Sequence, residues 1–238
     1  MAAHATPTTA LVLAGGRGER LRPLTDDRPK PMVKVNGKPI LEHHLGWLRR
    51  QGISRAILLT GHLGHVVAEY FASPRVQGLA VECVQEDHPL GRGGALRHGF
   101  ELAAIDDALV VATNGDVVTG QELGPMLELH QESQVLATVL LKELVSAYGI
   151  VDVDEAGLVH GFREKPTLPY WFNAGVYILS AEVFTRFPEE GDHETLLFPD
   201  LAAEGRIAGF RCTSYWQSVE SQKDLREAGE LLAAQGGG

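Results

Sequence analysis

The sequence predicts an α/β fold, a three-layer α/β/α sandwich around a mixed, mostly parallel central sheet, and three observations carry that expectation. Apolar runs of strand length alternate with amphipathic helical segments through the first half of the chain. Glycines and charged residues concentrate directly after the strand-like runs, above all from Leu13 to Met32. The chain has 238 residues, of which 44% are hydrophobic, enough for one large core.

In order, Ala10 to Leu13 is a buried strand feeding LAGGRGERLRPLTDDRPKPM, which holds three glycines, four arginines and Lys30 between Pro29 and Pro31. Glycine permits positive φ and close approach of a ligand to backbone N–H groups, and arginine forks match phosphate oxygens. A solvated surface loop is the plainer reading of such a segment, and its position after a strand favours a phosphate cradle. Lys34 to Pro39 is a turn centred on Asn36-Gly37. Ile40 to Gln51 places Ile40, Leu41, His44, Leu45 and Leu48 on one helical stripe ended by Gly52. Arg55 to Thr60 is a strand, Val66 to Phe71 a helix and Leu79 to Val84 a strand. A second glycine-rich loop, Glu86 to Gly94, opens a helix from Ala95 to Ala103, and the strand Ala108 to Thr113 ends in Asn114-Gly115-Asp116. Ligands of such sheets bind at the carboxyl ends of the strands, where the two loops and Asp116 would meet.

The second half is less regular. A helix from about Glu122 to Gln131 precedes the strand Val135 to Leu141. Gly149 to Val153 and Val159 to Phe162 flank a turn and form a hairpin. Asn173 to Leu179 is a strand, Ser180 the N-cap of a short helix, Arg206 to Tyr215 a strand, and Ser221 to Ala234 a closing helix. The last residues, AAQGGG, are expected to fray, and the start, MAAHATPTT, has no signal-peptide pattern.

A net charge of −10 disfavours nucleic acid and an anionic membrane surface as partners, and no apolar run reaches the roughly 20 residues of a membrane span. Cys83 and Cys212 lack metal-ligand spacing and lie in apolar runs, which suggests buried free thiols in a reducing cytoplasm; a disulfide between them stays open. Known phosphate motifs can be tested letter by letter. The dinucleotide fingerprint needs glycine where Leu21 stands, and a P-loop needs Lys and Ser or Thr after Gly18, where Glu19 and Arg20 stand. His62-Leu63-Gly64-His65 follows the second strand rather than the first, which favours a helix-start or surface role over phosphate chemistry.

Leu13 to Met32 resembles the LAGGxGTRLxPLTxxxPKPM signature of the sugar-1-phosphate nucleotidylyltransferases, departing within its fixed letters only at Glu19, where Thr is usual. The resemblance continues through Gly37-Lys38-Pro39-Ile40, Pro89-Leu90-Gly91 with Gly93-Gly94-Ala95-Leu96, Asn114-Gly115-Asp116, Tyr148-Gly149, Glu164-Lys165-Pro166 and Asn173-Ala174-Gly175-Val176-Tyr177. In length the chain is similar to the short mannose- or heptose-1-phosphate guanylyltransferases and muramate-1-phosphate uridylyltransferases. The resemblance implies a Rossmann-like fold in one domain over 1–238, with a nucleotide-binding part at about 8–142. A sugar-binding part with the closing helix would occupy about 143–235.

It also implies roles. Gly15, Gly16 and Gly18 would wrap the phosphates of a nucleoside triphosphate, with the backbone of Leu13, Ala14 and Gly15 facing the base. Arg20 would hold the triphosphate and departing pyrophosphate, and Lys30 the α-phosphate region. Gln85, Gly91 and Gly94 fall in the part that reads the base. Glu164 would take a hydroxyl of the sugar 1-phosphate, Lys165 its phosphate, and Asn173 and the Gly149 backbone further sugar contacts. Asp116 would bind Mg²⁺. Many relatives carry Trp-x-Asp-x-Gly-Thr near the end, and here Trp216 to Ser221 puts Ser218 in place of the aspartate. Glu220 is the expected replacement ligand, since i and i+2 share a face of a strand; a one-carboxylate site is the alternative. Guanine and uracil remain open as bases, and mannose, heptose and amino sugars as acceptors. A non-catalytic nucleotide-sugar sensor and a transferase for phosphocholine are the competing functions. Relatives of the implied family are often homo-oligomers.

Overall fold

The computed structural model describes residues 6–234, so residues 1–5 of the start read for a signal peptide and 235–238 of the tail expected to fray lie outside the described residues. Strand β1 (Thr9–Leu13) runs into the glycine and arginine loop. Strands β2 (Lys34–Val35) and β3 (Lys38–Pro39) make a tight hairpin whose turn residues Asn36 and Gly37 have φ of 49° and 85°, the conformation this residue pair favours. Then follow α1 (Ile40–Arg50), β4 (Arg55–Thr60), α2 (Gly64–Phe71), β5 (Ala80–Gln85), α3 (Gly91–Leu102) and β6 (Leu109–Asn114). A short β7 (Val117–Thr119) and α4 (Gly124–Ser133) lead into β8 (Ala137–Val145) and the hairpin of β9 (Ile150–Val153) and β10 (Val159–Arg163). The 14-residue β11 (Thr167–Ser180) is followed by a 3-10 run (Ala181–Arg186), α5 (His193–Leu196), α6 (Phe198–Ala203), β12 (Ile207–Arg211), β13 (Trp216–Ser218) and α7 (Gln222–Ala234).

The seven-stranded sheet has the order β12-β8-β11-β6-β1-β4-β5. Every pairing is parallel except those of β11, which runs antiparallel to both β6 and β8. Alternation along the strands feeds two cores. Ala10, Val12, Ala56, Leu58 and Val111 pack with α1, α2 and α4 through Leu41, Leu45, Val67 and Met126. Leu11, Ile57, Leu59, Val110 and Ala112 pack on the other face with Leu96, Phe184 and Leu201. Each fully buried aliphatic side chain contributes about 1.5–3 kcal/mol relative to exposure, so a one-residue register slip would exchange both faces and lose both cores. A third cluster joins Leu21, Val35, Ile40, Val118, Val219 and Ala228, seating α7 against the β2–β3 hairpin and the cradle loop.

From β1 the chain steps to β4 and β5, then crosses back through α3 to β6 on the other side of β1. That reversal opens a crevice at the carboxyl ends of β1 and β6. The structure departs from the sequence expectation at several points. The second glycine loop is shorter, because α3 begins at Gly91 rather than Ala95 and its glycines are helical. A Cβ on Gly93 would stand 2.7 Å from His193 N and one on Gly91 2.8 Å from Gly191 C, so side chains are excluded there by the packed backbone of the second half. Ser180 does not cap the following turn with its side chain; its Oγ lies 3.0 Å from His130 Nε2 instead. The strand expected to Tyr215 stops at Arg211. Both cysteines are free thiols, but Cys83 is exposed on the edge strand β5 and Cys212 only partly buried. Among the described residues no helix is long and apolar enough to cross a membrane.

Candidate active site

The cradle is a ring closed on itself. Ala14 N–H donates to Leu59 O at 2.8 Å, and a Cβ on Gly15 would meet Gly61 N at 3.0 Å, so the loop leaves β1 pressed against the loop that follows β4. Gly16 faces open space, with no atom within 4 Å of where its Cβ would be. Its carbonyl accepts the Lys30 N–H at 3.0 Å. Gly18 takes the left-handed conformation, φ 63°, and its carbonyl accepts the Thr25 hydroxyl at 2.9 Å. The 3-10 turn Glu19–Leu21 buries Leu21 and turns Arg20 outward; the turn Lys30–Met32 buries Lys30 between its two prolines.

Four predicted side chains come together at this edge. Lys30 Nζ lies 2.5 Å from Asp116 Oδ2 and 2.5 Å from Glu220 Oε1. Arg20 Nη2 lies 2.6 Å from Glu220 Oε2. The side chains of Lys30 and Asp116 are 9% and 16% exposed, against 76% for Arg20, so the lysine is the enclosed centre and the arginine the outer partner. Strand alternation does not place Glu220, because β13 ends at Ser218. Antiparallel pairing of β13 with β7 aligns Ser218 with Val117, and Val219 N–H donates to Asp116 O at 3.2 Å, which returns residue 220 over residue 116. The α7 terminus then fixes it: Ser221 Oγ donates to Asp224 Oδ2 at 2.9 Å, Asp224 N–H donates back to Ser221 Oγ at 3.2 Å, and Glu220 N–H donates to Asp224 Oδ2 at 3.0 Å. Ser218 Oγ reaches Glu220 Oε1 at 3.4 Å.

Asp116 Oδ1 is buried without a hydrogen-bond partner. An unpartnered carboxylate oxygen beside a second carboxylate suits a cation, and Mg²⁺ typically takes one or two carboxylates with phosphate oxygens and waters. Among the described residues no group of three or more His, Cys, Asp or Glu side chains is arranged to hold a metal, so a metal here would depend on a substrate for its remaining ligands. His44 supports this corner from beneath. Its Nδ1 lies 2.8 Å from Val117 O, and burial of the ring pushes its pKa down to about 4. A neutral imidazole with the proton on Nδ1 thus donates to the backbone next to Asp116.

A cleft of about 430 Å³ runs from Lys30, Asp116 and Glu220 past Gly15 and Gly16 to Gly91 and Glu86. Gly91 lines it with φ 73°, while Gly94 is buried. The N–H groups of Gly93 and Gly94 donate to Gly191 O at 2.8 and 3.2 Å, so the start of α3 is committed to protein contacts. Gln85 is exposed and lies against Gly64, while its neighbours Val84 and Glu86 line the cleft. Asn173 donates to Glu194 Oε1 at 2.7 Å and to Tyr177 Oη at 2.8 Å, and its Oδ1 accepts Gly175 N–H at 2.9 Å. Gly149, Glu164 and Lys165 lie outside this cleft on the β9–β10 hairpin and its exit; Glu164 and Lys165 are exposed, and a Cβ on Gly149 would stand 3.2 Å from Glu164 Oε2.

The cleft residues that sequence reasoning left unassigned include the charged Glu86, Arg92 and Asp192. Arg92 clamps Asp192 with Nε–Oδ1 and Nη2–Oδ2 both at 3.1 Å and also contacts Glu194. The hydrogen bonds from Arg92 hold the Asp192 carboxyl below the usual carboxylate range. Arg92 could have been noticed as a cation inside the second glycine segment; Asp192 carries no local signal.

The model of the nucleotidyl transferase family matches residues 9–235. The mannose-1-phosphate guanylyltransferase of Mycobacterium tuberculosis is 37% identical over 241 residues, covering 98% of this chain and 66% of the relative. The chain thus spans slightly under two thirds of that relative's length. The probable glucose-1-phosphate cytidylyltransferase of Bacillus subtilis is 30% identical over 93% of this chain and 95% of its own. Among solved structures, HddC from Yersinia pseudotuberculosis, also crystallised with GMP-PN, superposes with a TM-score of 0.75 at 26% identity, covering 94% of this chain and 99% of that one.

Proposed function

Because the chain belongs to the nucleotidyl transferase family, we propose that it transfers a nucleoside monophosphate from a nucleoside triphosphate to a sugar 1-phosphate. An acceptor phosphate oxygen forms the new bond to the α-phosphorus, the bond from that phosphorus to the β-phosphate oxygen breaks, and pyrophosphate leaves. The observation that carries this reading is the Arg20–Lys30–Asp116–Glu220 cluster at the switch-point edge, beside an open glycine backbone at Gly16.

A phosphate monoester is mostly dianionic at neutral pH, its second pKa being about 6, so the attacking group needs no strong base. What the reaction demands is that two anions be brought together and the spreading charge be stabilised. Lys30, held rigid by its backbone bond to Gly16 and its burial, sets a cation at the α-phosphate position without reorganisation. Arg20, exposed and tethered only at Glu220, can swing to the β- and γ-phosphates and follow the departing pyrophosphate. Mg²⁺ held by Asp116 and Glu220 would neutralise phosphate charge and fix its oxygens. Lys165, which has no ion pair among the described residues, is the cation for the acceptor phosphate, with Glu164, Asn173 and the Gly149 backbone on the sugar. Guanine or uracil is the base in this reading; the named activity of the mycobacterial relative and the nucleotide analogue bound to HddC support guanine. A reducing cytoplasm accords with the two free thiols.

The test is to combine each nucleoside triphosphate with a panel of sugar 1-phosphates, reading pyrophosphate release and the nucleotide-sugar by mass. The expected result is release with GTP or UTP that falls roughly 10²-fold in Arg20→Ala. No product with any pair, or release that survives Arg20→Ala, would overturn the proposal.

A further inference from the structure

We propose that Glu194 is a positioning residue that fixes the amide of Asn173 for the acceptor substrate; this rests on the nucleotidyl-transfer reading above, in which Asn173 faces the sugar. Glu194 lies in α5, where the second half of the chain returns to the start of α3. Its place is set from both sides. The fully buried ring of His193 packs with its centroid 4.8 Å from that of Phe198, 5.3 Å from Tyr177 and 5.6 Å from Phe187, which seats α5 in the core. Just before it, Gly93 N–H and Gly94 N–H donate to Gly191 O, and the Arg92 fork holds Asp192.

Between these anchors the Glu194 carboxylate, 25% exposed, meets three donors. Oε2 pairs with Arg92 Nη2. Oε1 accepts an Asn173 Nδ2 hydrogen at 2.7 Å and lies 3.4 Å from Tyr177 Oη. Asn173 Nδ2 also donates to Tyr177 Oη at 2.8 Å, and Gly175 N–H donates to Asn173 Oδ1 at 2.9 Å. The proton directions in this ring follow from the chemistry of its members. A carboxylate only accepts, so the Tyr177 hydroxyl turns its hydrogen to Glu194 and offers a lone pair to Asn173. Burial pushes the Tyr177 phenol well above its ordinary range, so that hydrogen stays in place. Both amide hydrogens of Asn173 are thus taken up inside the protein, and the amide cannot turn over without setting its oxygen against a carboxylate oxygen.

Asn173 is left with one lone pair on Oδ1 for a ligand, the other being occupied by Gly175 N–H. It receives a hydroxyl hydrogen from a sugar and gives none. Without Glu194 the Tyr177 hydroxyl is free to donate or to accept, and only Gly175 N–H remains to choose the face of the amide. Glu194 therefore acts on the acceptor through Asn173. The same carboxylate holds Arg92, which lines the nucleotide cleft, so α3 and β11 share one anchor.

The experiment is steady-state kinetics of the full chain with the nucleoside triphosphate and sugar 1-phosphate that give most product, for the unaltered protein, Glu194→Ala, Glu194→Gln, Asn173→Ala and the double variant Glu194→Ala/Asn173→Ala. Glu194→Ala is expected to raise KM for the sugar 1-phosphate about tenfold, with KM for the triphosphate unchanged and kcat within about threefold. Glu194→Gln keeps an acceptor for Asn173 Nδ2 and should stay within about threefold of the unaltered KM. Asn173→Ala should show the same rise as Glu194→Ala, and the double variant no further rise, because two residues acting through one contact are not additive. Should Glu194→Ala melt early, Tyr177→Phe removes the amide's other acceptor while keeping the ring, and is expected to raise the same KM. Single effects that multiply in the double variant, a triphosphate KM that rises as much as the acceptor's, Glu194→Gln as impaired as Glu194→Ala, or an acceptor KM moved by neither Glu194→Ala nor Tyr177→Phe would each overturn the assignment. No product from the unaltered chain with any pair would instead overturn the transfer reading, and this role with it.

Discussion

At the cradle end of the molecule Lys30 is tied twice, through its N–H to Gly16 and through Nζ to Asp116 and Glu220, whereas at the hairpin end Glu164 and Lys165 stand exposed and unpaired among the described residues. The hairpin itself shows water an apolar surface, with Val153 and Val159 each 60% and Phe162 66% exposed. A cation already held at 9% exposure would cost little side-chain freedom to order around a triphosphate, and its field is little screened. Groups on an exposed two-stranded hairpin lose side-chain freedom on binding, and that cost offsets part of what their contacts contribute. The difference teaches that preorganisation is concentrated where the charge problem is worst.

The strongest way to break that comparison is Lys30→Met. Turnover is expected to fall by roughly 10²- to 10³-fold, and the facing carboxylates to lower stability by on the order of 3 kcal/mol. Millimolar Mg²⁺ should restore the melting temperature of this variant by supplying the missing cation, and a melting temperature indifferent to Mg²⁺ would count against a metal at Asp116 and Glu220. In Glu220→Gln the Mg²⁺ concentration giving half-maximal rate should rise by about 10- to 100-fold; an unchanged requirement would show that Asp116 serves alone.

Acid should loosen the cradle end by way of His44. Its folded pKa is about 4 and its free value 6.5, so the unfolded chain takes the proton first as pH falls. Stability is complete above 6.5 and is lost progressively toward 4, on the order of 2 kcal/mol from His44 by pH 5. His130 and His193, also pushed down to about 4 by burial, act in the same direction. Denaturant melts at pH 7 and pH 5 should show the loss, with a shallower dependence in His44→Asn; equal slopes would remove His44 as a cause. The smallest effect belongs to the hairpin. Lys165→Ala should raise KM for the sugar 1-phosphate about tenfold and leave stability within about 0.5 kcal/mol. A drop in kcat comparable to that of Lys30→Met would mean that both ends are equally committed to the transition state.

Much of the fold was legible because the central parallel strands β1, β4 and β6 are buried on both faces and stand out as apolar runs; Arg55 to Thr60 matches β4 residue for residue. The misses have a common cause. Glycine between Leu90 and Ala95 signals a loop when only local preference is weighed, since each helical glycine costs about 1 kcal/mol relative to alanine. Here close approach of Gly191 requires them inside α3. The short β7 and β13 lack a period of their own and exist because they pair with each other. At the site, Arg20, Lys30 and Asp116 were visible as charged residues after strands, while the position of Glu220 depends on the Val219 to Asp116 backbone bond, which no local pattern reports.

The reversed direction of β11 also determines how this molecule can change over evolutionary time. Strands that run with the sheet reach the working edge at their carboxyl ends, and the loops leaving them must continue into the next helix. Within the seven-stranded sheet β11 alone presents its beginning there, pairing Val176 with Thr113 of β6, and Asn173 and the residues before it run on past β6 paired only with β8. The hairpin is thus an appendix inserted ahead of a core strand, and its sequence can be rewritten without altering any helix crossover. The hairpin is material that can be exchanged, and the cradle is woven into the fold.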